Sequence, residues 1–325
     1  MRVGITGGSG FIGTRLTDAF LEKGDSVVVF DVNPPQRKVD PVRSKTPAAS
    51  VDSPLANRTS NGVDFYKVDL LSLNLHPSIF ENLDAVIHLA GKNIFGRWNE
   101  RVKQEIYQSR VMGTKNLVSA LSALQHKPKV LVSASAVGYY GDRADADLYE
   151  DSGPGDNFLS RVCLDWEKEA EAAEKFGIRT VQIRTAPVLG RGGFLSKLLP
   201  IYKWGLGGPL SRGKQWFPWV HIDDIVGIYI FAIERETIKG PVNSCSPGVV
   251  RNEEFSKILA LVLDRPAFFK VPKLALELVL GELGEEILAS QKVRPRKLLQ
   301  NGFSFKFPDL KNALENILTK EYEPR

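Results

Sequence analysis

Two sets of residues in this chain are spaced for nucleotide chemistry. Gly7, Gly10 and Gly13 stand three apart in Gly7-Gly8-Ser9-Gly10-Phe11-Ile12-Gly13, directly after the apolar Val3 and Ile5 and directly before an amphipathic run, Thr14 to Lys23. Small residues in a strand–turn–helix let the backbone N–H groups, here of Phe11, Ile12 and their neighbours, approach a pyrophosphate, and the helix N-terminus adds partial positive charge. A Gly-rich turn can also do no more than reverse the chain; the strand before it and the helix after it favour the nucleotide. The spacing is G-x-x-G-x-x-G, not the G-x-G-x-x-G of ordinary dehydrogenases. Asp31 ends a second apolar run, Val27–Phe30, roughly twenty residues beyond the last glycine, where a carboxylate accepts hydrogen bonds from the adenosine ribose. Its charge repels a 2′-phosphate, so the cofactor expected is NAD(P) with NAD favoured. Arg37 and Lys38 follow closely and keep NADP open, although a surface loop is their simpler role.

The elements that must position these residues read as an α/β fold, a doubly wound parallel sheet of the Rossmann kind with a smaller, mostly helical C-terminal substrate domain. Further strands are expected at Phe65–Val68, Ala85–Leu89, Val130–Val132 and Thr180–Arg184, alternating with helices at Asn99–Leu124 and Leu159–Lys175. Ligands of such sheets bind at the carboxyl ends of the strands. That edge collects Asp69 and Leu70 beside the adenine, Leu89, Ala90 and Gly91 along the cofactor, and then Ser133, Ser135, Arg184 and Pro187. Gln36 to Asn61 is polar and aperiodic and reads as an insertion. The texture changes after residue 189. Gly190 to Pro218 is rich in Gly and aromatics with few helix or strand signals. A helix capped by Asp223 or Asp224 follows, then helices at Asn252–Leu263 and Pro272–Leu288, the latter broken at Gly281–Gly284. Gly302–Pro308 reads as strand-like and Asp309–Leu318 as the closing helix. The division expected is residues 1–189 as a cofactor domain with 220–245 packing back on it, and 190–219 with 246–325 as the second domain.

Composition narrows the class of protein. The chain has 325 residues, 43% of them hydrophobic and 25% charged, which fits an ordinary globular core. A net charge of +5 without a basic-aromatic helix argues against a nucleic-acid partner. No apolar run reaches the ~18 residues of a membrane span, so no membrane partner is expected. Two cysteines, Cys163 and Cys245, make no disulfide framework and fit the cytoplasm or another reducing compartment. The sequon Asn57-Arg58-Thr59 is then a chance match. No His/Cys/Asp/Glu cluster has metal-ligand spacing, so no metal is expected.

The glycine turn, His88-Leu89-Ala90-Gly91, Ser133–Gly141, Arg184–Gly190 and Val220–Asp224 together resemble the extended and atypical short-chain dehydrogenase/reductases of the NAD-dependent epimerase/dehydratase type. Ser109-Arg110-Val111, Gly138-Tyr139-Tyr140-Gly141, Gly205–Pro209, Gln215–His221 and Lys297–Phe303 narrow the match to the epimerase family proteins, sometimes labelled SulA-like, which carry their own short C-terminal domain. The resemblance spans Met1 to about Leu318. It implies an NAD(P)-binding oxidoreductase or nucleotide-sugar epimerase acting on a small molecule, and, by analogy only, pairing of two subunits through helices. Relatives usually carry small or basic residues where Asp31 stands, which suits NADP; this chain departs from them there.

The same resemblance implies a Tyr-x-x-x-Lys pair on the helix after Glu150, with a Ser or Thr on the fifth strand. Ser135 fits the last role, and Ser133 is the alternative. The other two are missing: the positions fall on Leu159 and Cys163, or on Phe158 and Val162 in the next register. Either Tyr139 or Tyr140 takes the acid–base role, with Arg110, Arg161 or His221 as the nearby cation, or the site binds cofactor without efficient redox chemistry and serves as a sensor or partner-binding protein, which the cell-division label of its relatives implies. A buried tyrosine is more often a packing residue, and Cys163 reads as a space filler. Arg110, Trp216 and His221 are the candidate substrate contacts; for His221 a bond within its own loop is an equal alternative. Trp98, Trp216 and Trp219 either wall a planar ligand or pack between domains. Arg191 and Lys214 either meet a ligand phosphate or stay solvated.

Overall fold

The computed structural model describes residues 1–34, 57–58, 63–72 and 75–319. Arg37, Lys38, Thr59 and most of the polar insertion lie outside the described residues.

Seven parallel strands form the centre: β1 (Arg2–Thr6), β2 (Ser26–Asp31), β3 (Val63–Lys67), β4 (Ala85–His88), β5 (Val130–Ala136), β6 (Arg179–Thr185) and β7 (Gly240–Ser244). Their spatial order is β7-β6-β5-β4-β1-β2-β3, and the short antiparallel pair Asn57–Arg58 lies on the outer edge of β3. The order reverses between β1 and β4, so the ends of these two strands diverge into a crevice that can take a nucleotide. Val27 to Phe30 are all buried because β2 is covered on both faces. On one face α1 (Phe11–Glu22) brings Leu16 and Phe20 against Val3, Ile5 and Val29. On the other, Val28, Phe30, Val86 and Leu131 meet Leu117 and Leu121. Each such side chain contributes about 1.5–3 kcal/mol on full burial.

The long helix expected at Asn99–Leu124 is α2 (Glu100–Tyr107), a π-helical turn at Gln108–Met112, and α3 (Gly113–Ser122). Next comes α4 (Phe158–Glu171). Gly190–Pro218 is more regular than its sequence suggests, because α5 occupies Gly193–Lys203 with Pro200 inside it. Proline has no N–H and ordinarily reads as a helix breaker, which hides the periodic Leu195, Leu199 and Tyr202.

The next helix, α6 (Ile222–Glu234), corrects the capping expectation. Its N-cap is His221, whose Nδ1 accepts from the Asp223 amide at 3.1 Å. Asp224 instead turns inward and accepts the amides of Lys306 (2.6 Å) and Phe307 (3.1 Å). Those amides are lost to strand pairing, and Gly302–Pro308 is irregular where a strand was expected. α7 (Asn252–Leu263), α8 (Lys273–Leu280), α9 (Leu283–Leu288), α10 (Arg296–Gln300) and α11 (Leu310–Thr319) follow among the described residues. The break between α8 and α9 is at Gly281, at a φ of +61°. Leu195 of α5, Phe255 of α7 and Leu314 of α11 share a core with Trp219.

Candidate functional site

The glycine turn is built by close approach. Gly7 has a φ of +70°, and a Cβ there would stand 2.8 Å from the Ala90 nitrogen. A Cβ on Gly13 would stand 2.6 Å from the Gly7 carbonyl oxygen. The turn therefore lies flush against the end of β4 and the start of α1. The first-turn amides of α1 have no partner within the helix and face the space a phosphate would take. The Phe11 side chain goes elsewhere: its ring lies in a cradle of Gly190, Gly192 and Gly193, where a Cβ on either of the first two would clash at 2.6 Å. Phe11 and Ile12 can thus serve a cofactor through their backbone, while the Phe11 ring joins the turn to the chain beyond β6.

The Asp31 carboxylate hangs over the same turn, accepting from the Ser9 amide at 3.0 Å and the Asn33 amide at 3.2 Å. Asp69 closes its own turn by accepting from the Leu71 amide, and the Leu70 carbonyl is held by Asn116. The Leu89 amide donates to the Thr6 carbonyl, so Ala90 and Gly91 leave the sheet beside Gly7. His88 is fully buried between two threonines, 2.7 Å from Thr6 Oγ1 and 2.8 Å from Thr114 Oγ1. The Thr114 hydroxyl donates to the Arg110 carbonyl, so His88 Nε2 carries the hydrogen and Nδ1 accepts from Thr6. Burial, seconded by Arg110, lowers the His88 pKa to about 3 and keeps the ring neutral.

The Ser109-Arg110-Val111 motif forms the π turn, a feature often found at functional sites. It grips the loop after Gly91: Ser109 Oγ accepts from the Lys92 amide, and Arg110 donates to the Lys92 carbonyl, both at 2.9 Å. The guanidinium also lies over the Trp166 ring, 5.3 Å from its centroid. Arg110 thereby fixes the rim of the crevice.

Beyond β5 lies a buried polar network that the sequence did not reveal. Ser135 Oγ donates to Glu167 Oε1 at 2.6 Å. Arg184 forks onto both oxygens of Glu167 at 2.8 Å, and its third nitrogen donates to the Tyr140 hydroxyl (3.0 Å) and the Glu150 carbonyl (3.1 Å). Tyr140 in turn donates to Asn243 Oδ1 at 2.6 Å. Burial pushes the Tyr140 phenol above its ordinary range against the pull of Arg184. A fully buried phenol committed in this way is a structural residue, which corrects its candidacy as acid–base group. Tyr139 differs: its ring lies on the Arg184 guanidinium, 3.5 Å from the centroid, and burial raises its pKa, so it stays protonated. Arg184 itself, expected at the cofactor, is committed to Glu167. Ser133 is buried and donates to the Ala134 carbonyl; Pro187 accepts from the Val220 amide.

At the position of the missing lysine, the Cys163 thiol is buried and pushed up to about 12, chiefly by burial, so it is no nucleophile. Leu159, at the missing tyrosine, packs against Gly138. His221 is buried with its ring 3.9 Å from that of Phe307, a core position rather than a substrate contact. The three tryptophans form no common wall. Trp98 packs on Phe158, Trp219 donates to the Gly248 carbonyl in the C-terminal core, and Trp216 donates to Asp145 with Arg251 over its ring.

Residues 3–243 match the NAD dependent epimerase/dehydratase family, and residues 271–317 match a domain of unknown function, DUF1731. This chain belongs to the NAD dependent epimerase/dehydratase family. Within it, the chain is 34% identical over 320 residues to the epimerase family protein YfhF of Bacillus subtilis, covering 98% of each. The crystal structure of human epimerase family protein SDR39U1 with NADPH is 33% identical, with a TM-score of 0.80 over 98% of this chain and 99% of that one. UDP-glucuronic acid 4-epimerase from Bacillus cereus, solved with UDP-glucuronic acid and NAD, shares the fold at 20% identity and a TM-score of 0.74, covering 99% of this chain and 100% of that one. The α/β Rossmann-like fold of this chain is thus shared with both solved structures.

The C-terminal segment of this epimerase-family chain meets the start of α4 through a buried carboxyl group, Glu286. Asn157 caps α4 by accepting from the Ser160 amide and donates to Glu286 Oε2 of α9 at 2.7 Å. Burial, more than the neighbouring Glu285 and Glu282, raises the Glu286 pKa to about 7. The folded state therefore holds a proton there that the unfolded chain has already released, and stability is lost as pH rises from the ordinary carboxylate range through about 7. Glu286→Gln should raise the melting temperature above neutral pH and flatten its fall across that window, measured by thermal denaturation against pH.

Proposed function

We propose that this chain binds NAD(P)(H) at the carboxyl edge of β1, β2 and β4 and uses it as an oxidoreductase or epimerase on a small substrate. The observation that carries the reading is the contact of Gly7 with Ala90, so close that nothing larger than hydrogen fits on the turn, beside first-turn α1 amides that have no partner within the helix. The nicotinamide, when bound, supplies or accepts hydride. The chain supplies position and protons. Ser135, its hydrogen held by Glu167, turns its lone pairs to accept a hydrogen bond from a substrate hydroxyl. Tyr139 is the phenol left to donate a proton, and Arg184 steadies both by ion pair and stacking.

Titration calorimetry with NAD(H) and NADP(H) tests the foundation, and absence of binding to all four ends the proposal. For chemistry, a panel of carbonyl and nucleotide-sugar substrates followed by nicotinamide absorbance should show turnover that falls roughly 100-fold or more in Tyr139→Phe, within the usual range of acid–base contributions. Full activity in that variant removes Tyr139 from the role. Binding without turnover anywhere in the panel removes the enzymatic reading.

Asp31 directs the choice of cofactor toward NAD(H), in contrast to the NADPH seen with the human relative. Its carboxylate, fixed by the Ser9 amide, would stand against a 2′-phosphate. Asp31→Ala should weaken NADH and strengthen NADPH, shifting their affinity ratio by about tenfold, the effect of roughly 1.4 kcal/mol. An unchanged ratio in parallel fluorescence titrations removes Asp31 from the ribose.

A further inference from the structure

Two segments far apart in sequence lie side by side on the C-terminal surface. The Val271 amide donates to the Pro209 carbonyl at 3.0 Å, the Ser211 amide to the Val271 carbonyl at 2.8 Å, and Arg265 to the Lys203 carbonyl at 3.2 Å. Neither residues 191–218 nor residues 265–276 contain a single Asp or Glu. Lys197, Lys203, Arg265 and Lys270 are all exposed there. Lys273 pairs with Glu277 at 3.2 Å, and Asp264 and Glu277 mark where the acidic side chains resume on either side of the second segment. Among these cations stand apolar side chains with almost nothing on them: Trp204 is 82% exposed, Phe268 84% and Leu274 75%. Leu278, 73% exposed, extends the row along α8, one helical turn after Leu274.

Such exposure decides between kinds of partner. Side chains more than four-fifths exposed stand proud of the surface, so they do not line a pocket for a small ligand, which would be concave. A second copy of this chain would bring the same cations face to face in a two-fold contact, where like charges repel. A fluid bilayer with anionic headgroups demands no matching shape: it accepts aromatic and aliphatic tips between its lipids and attracts the basic rim. We infer that this face docks the protein peripherally on an anionic membrane surface, with Trp204 and Phe268 inserted and Lys197, Arg265 and Lys270 on the headgroups.

The test uses the full chain with vesicles of phosphatidylcholine alone and of phosphatidylcholine mixed with phosphatidylglycerol. Sedimentation should carry the protein down with the anionic vesicles only, and high salt should release it. Lys197→Glu/Lys270→Glu should lower the partition coefficient more than tenfold, as each cation near an anionic surface contributes about fivefold. Phe268→Ser, with its exposed neighbour Phe269→Ser, should lower it with the charge intact, and Trp204 fluorescence should shift to the blue on binding, a change absent from Trp204→Phe. All three sites are exposed, so unchanged far-ultraviolet dichroism and melting will separate lost docking from lost folding. No sedimentation with anionic vesicles overturns the inference, as does binding that these variants leave unchanged. Binding of an RNA duplex or formation of a dimer, lost in the same variants without vesicle binding, overturns it in favour of that partner.

Discussion

Replacing Gly7 with alanine should reduce NADH and NADPH affinity by roughly 100-fold or more, while the protein stays folded. Two costs act together. A non-glycine residue at a φ of +70° is strained by about 1–2 kcal/mol. The new methyl group would also stand 2.8 Å from the Ala90 nitrogen and 2.9 Å from the Leu89 carbonyl carbon, both backbone atoms that cannot swing aside. The turn must lift from β4, and the α1 amides then no longer converge on one phosphate. Gly24→Ala is the control: Gly24 has a φ of +80°, yet a Cβ there meets nothing within 4 Å. It should lower the melting temperature through backbone strain and leave both affinities unchanged. Fluorescence titration and thermal melts on the two variants separate the effects. Equal affinity in Gly7→Ala and wild type would mean that this turn does not hold the cofactor.

The comparison of Gly7 with Glu167 shows what kind of information a sequence holds. Gly7 is legible because its requirement is local: a strand, a turn and a helix adjacent in the chain. The same holds for Val27–Phe30, an unbroken apolar run that only a strand covered on both faces can bury, and for α7, whose residues repeat with a helical period. Glu167 matters through Ser135 and Arg184, which lie 32 and 17 residues away. They meet only because β5 and β6 pair in parallel with Ser135 opposite Arg184. Tyr139 and Tyr140 are neighbours in sequence, and the single 3-10 turn at Val137–Tyr140 decides which hydroxyl reaches Asn243. Pro200 concealed α5 for the opposite reason, as a strong local signal overridden by the packing of Leu195 and Tyr202.

That network makes Arg184 the position where one substitution should cost most stability. Its side chain is only 3% exposed and that of Glu167 is 12% exposed, so neither charge has water to replace a lost partner. Arg184→Met removes both forked bonds to Glu167, the donor to Tyr140 and the donor to the Glu150 carbonyl. Breaking a buried pair from one side costs about 3–5 kcal/mol, because the remaining charge stays buried and unpaired. Arg184→Lys keeps a charge but cannot fork onto two oxygens, so its loss should be intermediate. Arg184→Met/Glu167→Leu removes both charges and should recover part of the loss, since an apolar pair of similar volume is often tolerated in place of a buried ion pair. Recovery should be incomplete, because Ser135 loses its acceptor and the Glu150 carbonyl its donor. Urea denaturation of the three variants measures the series. An Arg184→Met loss below about 1 kcal/mol, the worth of an exposed pair, would show that the network is not what holds β6 to α4.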